Sequence, residues 1–175
     1  MKLHTNILGA PFREIEAKTL IKQISIALRD CHDAGIAHLD IKPENIVLRK
    51  VTRNVKSAEL VLIDFGHAKE IKSNLNGPTG STMYAAPEIL NDRIFYLNKS
   101  DAWSLGVVTY VLLEGKHPWD DDDKIESGKL EHMDVKRALK NVKWSDEARG
   151  FVSGLLEIDV KRRMSLRDAL EHDWL

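Results

Sequence analysis

The segment IAHLDIKPENIVL, residues 36–48, groups polar and charged side chains between two apolar runs. Its second run, residues 46–48, is rich in branched side chains, and a similar run follows at residues 60–63. A basic, polar stretch, residues 49–59, separates the two runs. Short branched runs joined in this way predict a β-hairpin with a long turn.

The predicted hairpin brings polar residues together at its open end. Asn45 lies just before the first strand, and Asp64 lies just after the second. Because a hairpin reverses the chain direction, residues that flank its open end are neighbours in space. We therefore expect four side chains to converge on one site: Asp40, Lys42, Asn45 and Asp64. Carboxylate and amide oxygens beside a lysine favour Mg²⁺ and a phosphorylated substrate.

The composition is that of one soluble globular domain, with 175 residues of which 43% are hydrophobic and 30% charged. The net charge of −1 favours neither a nucleic acid nor a membrane as a partner. The single cysteine, Cys31, excludes an internal disulfide framework and is typical of a reducing compartment. The longest apolar run, residues 105–113, is shorter than the ~20 residues that a membrane helix needs. We therefore expect a cytoplasmic protein, with a nuclear location as an alternative.

The rest of the chain is predicted to be mostly helical. Residues 14–33 show a helical period, and their apolar face is predicted to comprise Ile15, Leu20, Ile24, Ala27, Leu28 and Cys31. Residues 69–83 are rich in small and polar side chains, which predicts a loop. Further helices are predicted at residues 103–113, 134–139, 146–156 and 165–170. The predicted fold class is therefore mainly α (α+β), with one small β-hairpin.

Five motifs, in order along the chain, resemble those of the eukaryotic protein kinases. HLDIKPEN (38–45) and DFG (64–66) resemble the catalytic loop and the metal-binding motif. GSTMYAAPE (80–88) resembles the end of the activation segment. DAWSLGVV (101–108) resembles the central buried helix, and DVKRRMSLRDALEHDWL (159–175) resembles the closing helix of the large lobe. The resemblance implies the C-terminal lobe of a protein kinase, with the hairpin at its catalytic loop.

The resemblance implies a serine/threonine kinase with ATP and Mg²⁺ as cofactors and a protein as substrate. Asp40 would accept or orient the proton of the substrate hydroxyl, and Lys42 would neutralise charge on the transferring phosphoryl group. Asn45 and Asp64 would hold Mg²⁺ against the ATP phosphates. Val47 would lie beneath the adenine ring. The implied ATP-binding residues are Lys42, Glu44, Asn45, Val47 and Asp64.

The end of the activation segment is implied to serve substrate docking, through Gly80, Ser81 and Glu88. Ser81 stands where the family usually has threonine, and it would bond toward the catalytic Asp40 and Lys42. This contact would connect the substrate-docking segment to the reacting groups.

The resemblance also implies residues that support the site structurally, namely His38, Phe65, Asp101 and Arg163. Arg163 would form a buried ion pair with Glu88 that fixes the activation segment. Asp101 would hydrogen-bond the backbone around His38.

Three segments place the chain near the calmodulin-dependent kinases, with the myosin-light-chain and death-associated kinases as the nearest groups. The segments are HLDIKPEN, GVVTYVLLEGKHPW and SDEARGFVSGLL. A lysine at position 42 is similar to serine/threonine rather than tyrosine kinases.

The sequence departs from the family pattern in its first part. It contains neither a glycine-rich loop nor a Val-Ala-Ile-Lys strand. We therefore expect residues 1–175 to be a partial kinase domain, from just past the hinge to the final helix, with the N-lobe absent and little activity alone. Val47 and Phe65 would then form an uncovered apolar floor that invites a partner. Two alternatives are a non-catalytic interaction module and a fragment of a complete kinase.

Leu39 is a second departure, because most of the family has an arginine at this position. That arginine pairs with a phosphate on the activation loop, and leucine cannot form such a pair. We therefore predict that phosphorylation within residues 66–81 is not the switch that activates the protein.

Several residues have a simpler alternative explanation. His32, His38 and Asp40 could be metal ligands of a hydrolase, but the kinase motifs favour His38 as a buried, hydrogen-bonded packing residue.

The acidic run at residues 120–123 could suggest a calcium site, but it lacks the glycine and distal glutamate of a calcium loop and is predicted to be a solvated loop. The basic turn at residues 49–56 is predicted to be exposed rather than a docking site. Core packing is predicted for three other residues, Cys31, Trp103 and Trp174.

Overall fold

The computed structural model describes residues 11–50, 59–74, 77–91 and 96–175, and of Lys50 only the backbone. The helices in these ranges are α1 (Glu14–Asp33), α2 (Pro87–Leu90), α3 (Leu97–Glu114), α4 (Asp122–Glu126), α5 (His132–Leu139), α6 (Asp146–Leu155) and α7 (Leu166–Leu170). The strands are β1 (Ile36–Ala37), β2 (Ile46–Lys50), β3 (Glu59–Leu62) and β4 (Lys69–Glu70). The predicted helix-rich fold with few short strands is confirmed.

Helix α1 has the predicted bounds and a clear amphipathic pattern. At its start the Glu16 carboxylate accepts a hydrogen bond of 3.1 Å from the Arg13 N–H, which satisfies a donor that the helix itself cannot. Gly35, at φ +80°, follows its end. Most of the predicted apolar face lies in or against the core, but Ile15 is 52% exposed, so its assignment to that face was wrong. Cys31 is half-buried, and burial raises the pKa of its thiol.

Helix α3 forms the centre of the molecule and is longer than the predicted helix. Residues 100–113 are buried without a break, including polar Ser104 and Thr109. The Thr109 hydroxyl donates to the Leu105 carbonyl of its own helix at 2.7 Å. The helix ends at Gly115, which adopts the left-handed conformation at φ +69°. None of the helices in the described ranges has the length and apolarity to cross a lipid bilayer.

Two small antiparallel sheets flank the predicted site. In the predicted hairpin, Val47 pairs with Val61, and its neighbour Ile46 pairs with Leu62. The second sheet pairs β1 with β4, which lies inside the segment predicted to be a loop. The loop prediction was therefore wrong for Lys69–Glu70, because a strand of two residues leaves no detectable period. Residues 51–56 of the basic turn lie outside the described part of the chain.

The acidic run is partly helical, so the prediction of a loop throughout was also wrong. Asp122 and Asp123 begin α4, and the Asp121 carboxylate caps this helix by accepting a hydrogen bond of 3.0 Å from the Lys124 N–H. Carboxylates at a helix N-terminus are stabilised by the positive end of the helix dipole. In the described ranges, no group of three or more His, Cys, Asp or Glu side chains could hold a metal ion.

The Glu14 carboxylate joins the start of α1 to distant parts of the chain. It accepts hydrogen bonds from the Ser145 N–H at 3.0 Å and from the Trp174 indole N–H at 3.0 Å. Burial raises the pKa of Glu14, but these hydrogen bonds outweigh the effect and lower the pKa overall. Lys22 adds a second link, since its ammonium group donates to the Leu175 carbonyl at 2.8 Å.

Candidate active site

The segment that opens the predicted catalytic loop is anchored on α3 by one buried carboxylate. Asp101 is fully buried and accepts backbone hydrogen bonds from His38 at 2.8 Å and from Leu39 at 2.7 Å. The His32 Nε2 atom lies 2.8 Å from the same carboxylate. The structure thus contains the contact with the backbone around His38 that the resemblance implies. It adds His32, whose link to a residue 69 positions away has no signal in the sequence.

Leu39 and Gly80 meet where the catalytic loop passes beneath the activation segment. Leu39 is 6% exposed and has a φ of +64°, a conformation that costs a residue with a side chain of the order of 1–2 kcal/mol. A Cβ atom on Gly80 would lie 2.1 Å from the Leu39 carbonyl oxygen. Only glycine fits there without moving the backbone.

Asp40 is the centre of the polar cluster. Its carboxylate lies 2.9 Å from the Lys42 Nζ and accepts hydrogen bonds of 2.8 Å from both the Asn45 amide and the Ser81 N–H. Burial raises the pKa of Asp40, but these hydrogen bonds and the lysine charge outweigh burial and hold the pKa below its ordinary value. Asp40 is therefore an ionised, oriented acceptor at neutral pH.

Ser81 links the activation segment to this cluster. The Lys42 ammonium donates to the Ser81 hydroxyl at 2.6 Å, while the Ser81 N–H is bonded to Asp40. Glu44 is half-buried, and its side chain lines a cavity of about 510 Å³ with seven others, namely Lys42, Ser81, Thr82, Met83, Tyr84, Asp122 and Glu126. The structure thus places Glu44 beside the activation segment.

The hairpin brings Asp64 close to Asn45, as the sequence predicts. The Ile63 N–H donates to the Asn45 carbonyl at 2.9 Å, which brings the neighbouring Asp64 to the end of the catalytic loop. Asp64 is exposed and has a φ of +64°, a conformation that aspartate tolerates better than most residues. The Asn45 amide group donates both to the backbone carbonyl and to the carboxylate of Asp40, so its nitrogen and not its oxygen makes these two contacts.

His38 holds the catalytic loop against the DFG segment. It is fully buried, and its Nε2 atom lies 3.1 Å from the Ile63 carbonyl oxygen. Its ring also packs on Phe65, with 4.7 Å between the centroids. The prediction that His38 is a buried, hydrogen-bonded packing residue is confirmed.

The outer face of the hairpin carries an apolar surface. Val47 is half-buried, its partner Val61 is 39% exposed, and Phe65 is 46% exposed. Neighbouring side chains on these strands turn inward, since Ile46 and Leu62 are buried. We call Val47, Val61 and Phe65 the apolar floor.

The activation segment is fixed at its far end by a buried ion pair. The Arg163 guanidinium donates two hydrogen bonds to Glu88, at 2.6 and 2.9 Å, and is 1% exposed. It also lies over the Trp103 ring, 5.0 Å from the centroid. Ser100 donates to the same carboxylate at 3.2 Å. The structure therefore brings Glu88 and Arg163 together, as the resemblance implies.

Replacing Gly80 with alanine should destabilise the protein more than the same change at Gly77. Both glycines have a positive φ, of +80° and +102°, so alanine is strained at either position. Only at Gly80 would the new Cβ atom also collide with the Leu39 backbone, whereas at Gly77 no atom of the described residues lies within 4 Å apart from the chain neighbours. We expect an additional loss of about 1–3 kcal/mol for Gly80→Ala, measured by urea unfolding of both variants. Equal losses would contradict the close contact.

The family model for the protein kinase domain matches residues 2–175. CDPK-related kinase 3 of Arabidopsis thaliana is 37% identical over 174 residues, which are 95% of this chain and 28% of the relative. Death-associated protein kinase dapk-1 of Caenorhabditis elegans is 34% identical over 168 residues, covering 93% of this chain and 11% of the relative. Calcium-dependent protein kinase 4 of Plasmodium falciparum is 35% identical over 172 residues, which are 94% of this chain and 31% of the relative. The chain thus spans less than a third of the length of these curated relatives.

Proposed function

Because the chain belongs to the protein kinase family and is similar to serine/threonine kinases of the calmodulin-dependent group, we propose that it transfers the γ-phosphate of ATP to a serine or threonine hydroxyl of a protein substrate. One observation carries this proposal. Asp40 is held as an ionised acceptor by Lys42, Asn45 and the Ser81 N–H. A scaffold that only binds a partner has no physical need for this arrangement.

The cluster would supply the groups that the proposed reaction requires. Asp40 would accept or orient the hydroxyl proton, which favours attack by the substrate oxygen. Lys42 lies between Asp40 and Ser81, and its ammonium group would stabilise negative charge on the transferring phosphoryl group. Ser81 would keep the activation segment, and with it the substrate, at this position.

The donor atoms of the site fit the cofactors that protein kinases generally use, ATP and Mg²⁺. The Asn45 amide oxygen and the Asp64 carboxylate are hard oxygen ligands, and one or two such protein ligands together with substrate phosphates suit Mg²⁺. When bound, the ion would neutralise phosphate charge. We assign ATP binding to Lys42, Glu44, Asn45, Val47 and Asp64.

We further propose that these residues form the C-terminal lobe of a kinase and that the apolar floor is covered in the active state. The floor offers adjacent apolar side chains from two strands, Val47 and Val61, and a further exposed apolar side chain, Phe65. Exposed apolar surface of this kind favours contact with a second polypeptide surface. The single cysteine supports a cytoplasmic or nuclear location.

The exposed floor also favours a second candidate, a non-catalytic interaction module that binds its partner through these side chains. A transfer assay separates the two. We expect the 175-residue chain to show little transfer of labelled γ-phosphate to a mixed set of serine and threonine peptides. The same chain fused behind the N-terminal lobe of a related kinase should transfer phosphate readily, because that lobe supplies the groups that grip the ATP phosphates.

The matched control for the fusion is the same protein with Asp64→Asn, which removes the negative charge of one proposed metal ligand and keeps the side-chain size. No transfer by a folded fusion would favour the interaction module. Rapid transfer by the 175-residue chain alone would instead contradict the proposal that the floor must be covered.

A further inference from the structure

His117 connects the turn after α3 to the activation segment. Its Nε2 atom lies 2.6 Å from the Met83 carbonyl oxygen, and its Nδ1 atom lies 3.4 Å from the Trp119 backbone nitrogen. A backbone N–H can only donate, so Nδ1 is the acceptor in this contact. Nε2 therefore carries the proton and donates it to Met83. The ring also meets Tyr84 edge-on, with 5.6 Å between the centroids.

Two of the residues that His117 contacts, Met83 and Tyr84, belong to the same short turn as Ser81. The N–H groups of Tyr84 and Ala85 both donate to the Ser81 carbonyl, at 2.9 and 3.0 Å. On the side of α3, the Ser104 hydroxyl donates to the Tyr84 carbonyl at 2.8 Å. His117 and Ser104 thus hold the turn at adjacent carbonyls. The turn therefore positions Ser81, which contacts both Asp40 and Lys42.

We propose that His117 is a positioning residue, which holds the turn at residues 81–85 through the Met83 carbonyl and so keeps Ser81 on Asp40 and Lys42. A role of His117 in catalysis rests on the proposed kinase function, whereas its hydrogen bond to the Met83 carbonyl does not depend on that function. His117 touches neither the reacting groups nor the apolar floor in the described structure. It reaches the turn through the Met83 carbonyl, and its ring packs on Tyr84.

The surroundings of His117 favour the neutral ring that this role requires. Burial lowers the pKa of His117, and it outweighs the opposing hydrogen bonds and the nearby carboxylates of Asp120 and Asp122. A second proton would have to enter at Nδ1, which faces the N–H of Trp119. The neutral form satisfies both contacts.

Glutamine and asparagine distinguish this role from simple packing. The glutamine amide nitrogen can replace Nε2 as a donor to Met83, whereas the shorter asparagine side chain reaches only the position of Nδ1. His172 provides a matched control, because its Nδ1 atom accepts from the N–H of Trp174 at 3.2 Å, two residues along the chain, as His117 does from Trp119. His172 is distant in sequence from the activation segment and packs on Phe151 instead.

Amide hydrogen exchange of the full chain tests the proposal. In His117→Ala and His117→Asn, we expect exchange at Tyr84 and Ala85 to accelerate by about two- to tenfold, the effect of one lost hydrogen bond. His117→Gln should stay within about twofold of the unchanged protein, and His172→Ala should leave both amides unaffected. Equal exchange in the glutamine and asparagine variants, or no acceleration in either His117→Ala or His117→Asn, would overturn the proposal.

The exchange measurement requires neither ATP nor phosphate transfer, so it is independent of the proposed function. If the expected exchange pattern appears while the fused protein transfers no phosphate, the positioning contact stands and the kinase proposal fails. If His117→Ala does not fold, the comparison of His117→Gln with His117→Asn still tests the positioning role of His117.

Discussion

Replacing Asp40 with asparagine should lower the rate of phosphate transfer by about 10²–10⁴-fold, the usual contribution of a positioned general base. Asparagine keeps the shape of the side chain but cannot accept the hydroxyl proton. The effect should appear in kcat, because Asp40 is expected to act on the reacting hydroxyl rather than to bind ATP. The measurement is steady-state transfer by the chain fused to a kinase N-terminal lobe.

The matched control is Asp173→Asn, which makes the same chemical change at an exposed position near the end of the chain. We expect the control to transfer phosphate at the unchanged rate.

Because the pKa of Asp40 is lowered in the folded protein, its carboxylate is ionised throughout a neutral assay range. Its ionisation stabilises the fold above the unfolded-state pKa, and this contribution is lost as the pH falls through the lower folded-state value. A folded Asp40→Asn variant with nearly full activity would contradict its role as the base.

Replacing Arg163 with methionine should lower the free energy of unfolding by about 3–5 kcal/mol, the typical cost of breaking a buried ion pair. Methionine preserves much of the packing but leaves the Glu88 carboxylate, which is 8% exposed, without its cation. The change also removes the guanidinium group from the face of Trp103. Urea unfolding at neutral pH measures the loss.

The neighbouring Arg162 is exposed and provides the control. Arg162→Met should change the free energy of unfolding by less than about 0.5 kcal/mol. The double variant Arg163→Met with Glu88→Gln should recover part of the loss, because the unpaired charge is gone. Equal stability of the Arg162 and Arg163 variants would show that the buried pair contributes nothing to the fold.

The sequence predicted the elements that have a strong local period. The bounds of α1 agree with its apolar repeat, and the paired branched runs identified the hairpin. The first turns of α3 were not predicted, because they carry polar residues that are buried by distant partners. Asp101 is one of these, and its partners lie in the catalytic loop more than 60 residues earlier.

The site was predicted to the extent that motifs carry it. The motif residues Asp40, Lys42 and Asn45 lie together, with Ser81 against them. Their catalytic and ATP-binding roles stay predictions. His117 was missed because its partner is a backbone carbonyl of Met83, and any residue type at position 83 would offer the same acceptor. Contacts of this kind depend on the path of the chain rather than on side-chain chemistry.

The Glu14 contacts also bear on the order in which the molecule forms. They join residues that are 131 and 160 positions apart, so they close nearly the whole chain into a loop. The entropy of closing such loops must be lost before the contacts can form, which slows folding. During synthesis, the Glu14 contacts can therefore form only after Ser145 and Trp174 have left the ribosome. We expect these contacts to form late in folding.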